Sequence, residues 1–175
     1  MFNKVNVLDI VKNHLGTLID DSTGNPRPLD FVLFFIFPLS IATALTFYFK
    51  VKIDGNLAGL LATVLSIVTG LLFNLLVLIF DISGRNKEVF KKKERVSNFL
   101  EQIYINISFS ILIAILAVIL VILRSFNIWP AIGADILSFG VYFLVSLFLL
   151  TLLMVLKRID TLLLEDFKEY KKPIN

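Results

Sequence analysis

The sequence contains no cysteine, which excludes a disulfide framework, a thiolate nucleophile and a cysteine-held metal. It does not fix a redox compartment. Histidine is almost as scarce: His14 is the only one and has no obvious partner along the chain. HExxH, GxSxG, a P-loop and a GxGxxG ahead of a helix are all missing. The adjacent acids Asp20-Asp21 and Glu165-Asp166 do not converge on one metal, because neighbouring residues on a helix point apart. No enzymatic activity and no cofactor are expected. The opening MFNKVNVLDIVKNHLG lacks the continuous apolar core of a signal peptide, and no lipidation motif is evident.

Apolar residues are abundant. They make up 57% of the 175 residues, with 17 phenylalanines among them, and the mean hydropathy is +0.86. A soluble domain of this length is about 45–50% apolar. The excess lies in four runs near residues 31–49, 57–80, 106–123 and 136–156. Each approaches the roughly 20 helical residues that cross a bilayer core. None carries a charge at its middle, and none keeps the polar outer face that a buried bundle helix needs. The expected fold is all-α: a polytopic membrane protein with four transmembrane helices and cytoplasmic helical extensions.

Orientation follows from the cations. Fourteen of the 17 Lys and Arg residues lie in the N-terminal segment, the second connection and the C-terminal tail. Only Lys50, Lys52 and Arg124 fall in the other two connections. The positive-inside rule therefore puts both termini in the cytoplasm. The outer connections, KVKIDGN and RSFNIWPAIGAD, are too short for a folded external domain. Asp54-Gly55-Asn56 supplies turn chemistry, and Trp129 suits the lipid–water interface.

Three pieces are left for the cytoplasmic side. In residues 1–30, Phe2, Val5, Leu8, Val11, Leu15 and Leu18 share a helical face, and a loop from Asp20 to Pro28 follows. This helix carries few cations, so packing on other helices is favoured over lying on the membrane surface. Residues 81–105 join the second and third spans, with an apolar stripe of Phe90, Val96, Phe99, Leu100 and Ile103, and nothing breaks the helix before Asn106. Residues 157–175 carry Ile159, Leu162, Leu163, Phe167 and Tyr170 in a helical stripe that Pro173 ends. The basic cluster Lys91, Lys92, Lys93 and Arg95 is read as a contact to anionic headgroups or to a partner. It has no aromatic stacking platform, which disfavours nucleic acid.

Polar residues inside the runs are few and patterned. Gly59, Thr63, Ser66, Gly70 and Asn74 recur every three or four residues along one face of the second span. Asn106 and Ser110, with Gln102, Ala114 and Ala117, make a similar face on the third. Small residues let helices approach, and hydroxyls and amides bond across the contact for about 0.6–2 kcal/mol. Helix packing is the first reading of these residues and lining of a pore in an oligomer the second. Asn74 is expected near Asn106 or Ser110 in depth. Pro38 is expected to kink the first span. No ionisable residue lies deep in a span, which argues against ion-coupled transport.

The segments GLLFNLLVLIFD, FLEQIYINISFSILI and LLTLLMVLKRIDTLLLEDF resemble small four-span bacterial proteins, among them the membrane subunit of Kiwa-type phage-defence systems. The resemblance implies an oligomer in the bacterial cytoplasmic (inner) membrane that senses envelope disturbance and engages a cytosolic protein. The expected function is accordingly an oligomeric membrane sensor or scaffold subunit. The alternatives are a pore-forming or membrane-depolarising effector and an accessory subunit of a transporter.

Overall fold

A computed structural model describes residues 7–18, 28–85, 94–126 and 128–170. They form five helices, and no strand occurs among the described residues. Helix α1 spans Val7–Gly16, α2 spans Pro28–Thr43 and passes directly into a π-helical turn at Ala44–Tyr48, α3 spans Gly55–Arg85, α4 spans Glu94–Ser125 and α5 spans Ala131–Tyr170.

Three of these are long and apolar enough to cross a membrane: Gly55–Asp81, Ser97–Ser125 and Ala131–Leu164. The fourth expected span appears as a shorter apolar helix, Val32–Tyr48. It runs through Pro38, whose missing N–H leaves the Phe34 carbonyl without its usual helical donor. At its end the ladder widens: Phe49 N–H bonds to Ala44 O at 2.8 Å and Val51 N–H to Leu45 O at 2.9 Å. Lys50 then takes φ 49°, a left-handed conformation that glycine usually fills at helix ends. Asp54 restarts the chain as a helix, because its Oδ1 accepts the Leu57 N–H at 2.8 Å, satisfying one of the free donors of the first turn.

Helices α4 and α5 run without a break through and slightly beyond their apolar segments. The 40 residues of α5 would reach about 60 Å at 1.5 Å per residue, roughly twice the thickness of a bilayer core. One end of α5 must therefore project beyond any membrane that holds its apolar part.

The long helices pack as a row rather than a closed ring. Helix α3 lies against α4, α4 against α5, and α5 against α2, whereas the backbones of α2 and α3 do not come together among the described residues. The seam from α3 to α4 is a heptad: Ala58, Leu65, Leu72 and Ile79 are all buried, and each is seven residues from the last. That spacing keeps one stripe on a single partner along the whole helix. Helices α4 and α5 meet through small residues, with Ser110, Ala114 and Ala117 on one side and Val141 and Thr151 on the other fully buried. At Gly140 a Cβ would sit 3.0 Å from the Leu120 side chain, so this glycine permits the close approach of the two helices. Ser110 donates to Asn106 O and Thr151 to Leu147 O, so both buried hydroxyls are satisfied within their own helices.

The outside of the row is apolar. Leu33, Ile36, Leu60, Ile67, Leu71, Leu149 and Leu153 are all exposed. Helix α3 is the barest of the three long helices, with 17% of its apolar window buried against 44% for α4 and 39% for α5. A contiguous apolar surface of this extent marks a face that meets lipid or another protein.

Candidate functional site

The polar residues singled out in the sequence separate into two places. Gly59, Thr63, Ser66, Gly70 and Asn74 are exposed along α3, on the side opposite its heptad seam. A Cβ at Gly59 or Gly70 would meet nothing within 4 Å, so neither glycine serves a contact within the chain. Thr63 is satisfied by the Gly59 carbonyl at 2.8 Å. Asn106 and Ser110, in contrast, are 0% exposed and face inward from α4. The structure thus does not bring Asn74 to Asn106 or Ser110. The seven-residue aliphatic seam, not the small-residue stripe, turns α3 toward α4, and this rotates Asn74 outward.

Lys91, Lys92 and Lys93 lie outside the described residues, and Arg95 belongs to the first turn of α4.

Asn106 has a different partner, which sequence reasoning missed. Helix α1 packs against α4 with Ile10, Val11, His14, Thr17 and Leu18 turned inward, while Leu8 and Leu15 of the expected stripe are exposed. His14 is only 1% exposed. Its ring stacks on Phe109 of α4 at 3.7 Å with planes 10° apart, and meets Phe34 of α2 at 5.4 Å. Its Nδ1 is 2.8 Å from Asn106 Oδ1. Thr17 Oγ1 lies 2.7 Å from the His14 carbonyl and 3.0 Å from the same amide oxygen. Helix α5 completes the node: Arg158 donates to Gln102 Oε1 and, at 2.9 Å, to the Thr17 carbonyl. A guanidinium at this position caps the C-terminal end of α1, where free carbonyls and the helix dipole favour a cation.

This environment keeps the His14 ring neutral. Burial is the main cause, and it lowers the pKa from 6.5 to about 4; the hydrogen bond with Asn106 opposes this, and the charge of Arg158 adds to it. Because Asn106 Oδ1 accepts from Nδ1, the neutral ring carries its proton there. Asn106 Nδ2 is buried and has no partner among the described residues. A half-turn of the amide would let that nitrogen donate to a deprotonated Nδ1 and to Thr17 Oγ1, so both amide orientations suit a neutral ring.

A signal for the node was present in the sequence. His14 follows Ile10 and Val11 by four and three residues, and Thr17 follows His14 by three. The pair therefore forms a polar gap within an otherwise apolar face.

Elsewhere the polar contacts tie helices to one another and to their connections. Arg124 Nε donates to Ser138 Oγ at 3.1 Å, Trp129 Nε1 to Leu123 O at 2.7 Å, and Tyr142 OH to Val51 O at 3.2 Å. Among the described residues no three His, Asp or Glu side chains gather as a metal site would require. No family model matches the chain, and neither a curated protein nor a solved structure matches it.

Proposed function

We propose that the chain is a four-span protein of the bacterial cytoplasmic membrane, with both termini inside, that assembles through the outward face of α3. In this reading it acts as a sensor or scaffold subunit whose projecting α4 and α5 ends meet a cytosolic protein, with phage defence as one setting.

The observation that carries the reading is the place of Asn74. It projects from a helix long and apolar enough to cross a bilayer, is exposed, and shares its face with two glycines that no contact within the chain requires. An amide left in lipid without a hydrogen-bond partner is costly. A second copy supplies a partner at the right depth. Two copies inserted the same way and related by a two-fold axis along the membrane normal place each α3 residue opposite its own counterpart. An amide both donates and accepts, so it can pair with itself, and glycines permit close backbone approach.

The absence of cysteine makes this directly testable. Ser66→Cys and Asn74→Cys should form disulfide-linked dimers in native membranes under mild oxidation, whereas Ile36→Cys on the outward face of α2 should not. Equal cross-linking at all three positions would reject the interface.

The same exposed face supports a second reading, in which Thr63, Ser66 and Asn74 line water between protomers. Ion flux through reconstituted liposomes that Asn74→Leu alters without loss of the oligomer would favour the pore over the scaffold.

A further inference from the structure

Helix α1 stands apart from the rest of the fold. Its 10 described residues are fewer than the roughly 12–15 at which an isolated helix becomes even marginally stable in water. It persists because it is docked, and the centre of its docked face is a polar ring rather than an aliphatic side chain. The groups around that ring are uneven in charge. Among the described residues, Arg158 of α5 is the ionised group that acts on it. Helix α4 presents Asn106 and Phe109, and α2 presents Phe34, none of which titrates. Asp9 and Lys12 of α1, Glu101 of α4, and Lys157 and Asp160 of α5 are exposed. No carboxylate among the described residues is hydrogen-bonded to the ring, so none of them offers an imidazolium a counter-ion contact, and a charged ring here would lose its water and face a guanidinium.

We propose that α1 is a proton-sensitive latch: it stays docked while the His14 ring is neutral, and uptake of a proton by that ring releases it and uncovers Asn106.

The sign follows from linkage. His14 has a pKa of about 4 when docked and 6.5 as a free side chain. Docking is at full strength above about pH 6.5 and weakens as pH falls from there toward 4. The ratio of docked to released α1 should drop about tenfold between pH 7.5 and 5.5, and roughly 25-fold between pH 7.5 and 5.0. The latch works in this way on whichever side of the bilayer α1 lies, so it stands or falls independently of the proposed topology and assembly.

The test uses the full-length chain in liposomes. Spin labels on Asn13→Cys and Asp160→Cys, both exposed positions, report the distance from α1 to α5 in an otherwise cysteine-free protein. At pH 7.5 one narrow distance is expected. At pH 5.0 a broader and longer population should grow relative to it by more than tenfold. His14→Phe keeps an aromatic ring against Phe109 but cannot titrate, so its distance distribution should be the same at both pH values. An unchanged wild-type distribution, or a His14→Phe protein that still responds to pH, would overturn the proposal. Should His14→Phe fail to dock at pH 7.5, the titration of the wild-type ring decides. His14 is the only histidine, so selective ¹⁵N labelling gives one imidazole to follow. An apparent pKa below about 5.5 in the docked protein sustains the latch, and one at 5.5 or above refutes it.

Discussion

Replacing His14 with alanine removes the ring held between Phe109 and Phe34 and, with it, the hydrogen bond to Asn106. Truncating a buried aromatic ring to alanine costs about 3–5 kcal/mol in a tight core. An imidazole is smaller and more polar than a phenyl ring, which puts its packing loss near the lower end, at about 2–3 kcal/mol. The hydrogen bond adds about 1 kcal/mol. The total of about 3–4 kcal/mol falls on α1 alone, because the long helices are held by the heptad seam and the α4–α5 contact rather than by His14. Hydrogen exchange in detergent micelles at pH 7.5 reads this out directly. Amides of residues 10–18 should lose protection by about two to three orders of magnitude, while those around Ile113 and Phe148, buried at 3% and 2% exposure, should stay protected. Unchanged protection of α1 would show that His14 does not anchor it. Loss of protection throughout would show that α1 is part of the core and not a separately docked element.

Other substitutions probe the rest of the structure. Gly140→Val should destabilise the protein by about 2–3 kcal/mol in reversible unfolding from micelles, since Cβ alone already reaches Leu120 and two further methyls must part α4 from α5. Gly59→Ala, with open space around the new methyl, should leave the monomer as stable or raise its stability by up to about 1 kcal/mol through helix propensity; a loss would place Gly59 in a contact within the chain. Lys50→Gly relieves the left-handed backbone after the π-helical turn and should be neutral to about 1 kcal/mol stabilising; a clear loss in thermal denaturation would count against that backbone conformation.

What could be read in advance divides along physical lines. Helix content and the presence of long apolar helices were legible, because hydropathy is a local sum that needs no knowledge of neighbours. The rotation of α3 was not. Nearly every position from Leu57 to Phe80 is apolar or small, so the heptad of Ala58, Leu65, Leu72 and Ile79 has no polar background to stand out against. The one visible pattern, Gly59 to Asn74, marks a face for helix packing or pore lining without telling which neighbour it meets, and it lies on the side opposite the seam. The extent of the first apolar helix was legible, since Pro28–Thr43 and the π-helical turn Ala44–Tyr48 cover all but the last residue of Phe31–Phe49; the π-helical turn itself has no local signal. The node was hidden for a different reason. His14, Asn106 and Arg158 are far apart in sequence, and each is unremarkable alone; only packing α1 onto α4 and α5 makes them partners.

The subunit count in the native bilayer tests the role of α3 most directly. Membranes extracted with a nanodisc-forming polymer keep their lipids, and the mass of single particles gives the number of chains in each. The wild-type protein should appear as a dimer or a larger symmetric assembly. Gly70→Leu, which fills a position where a Cβ meets nothing within the protomer, should leave the helices intact by circular dichroism and shift the particles to monomers. A monomeric wild type, or a Gly70→Leu variant that assembles as well as the parent, would contradict the account.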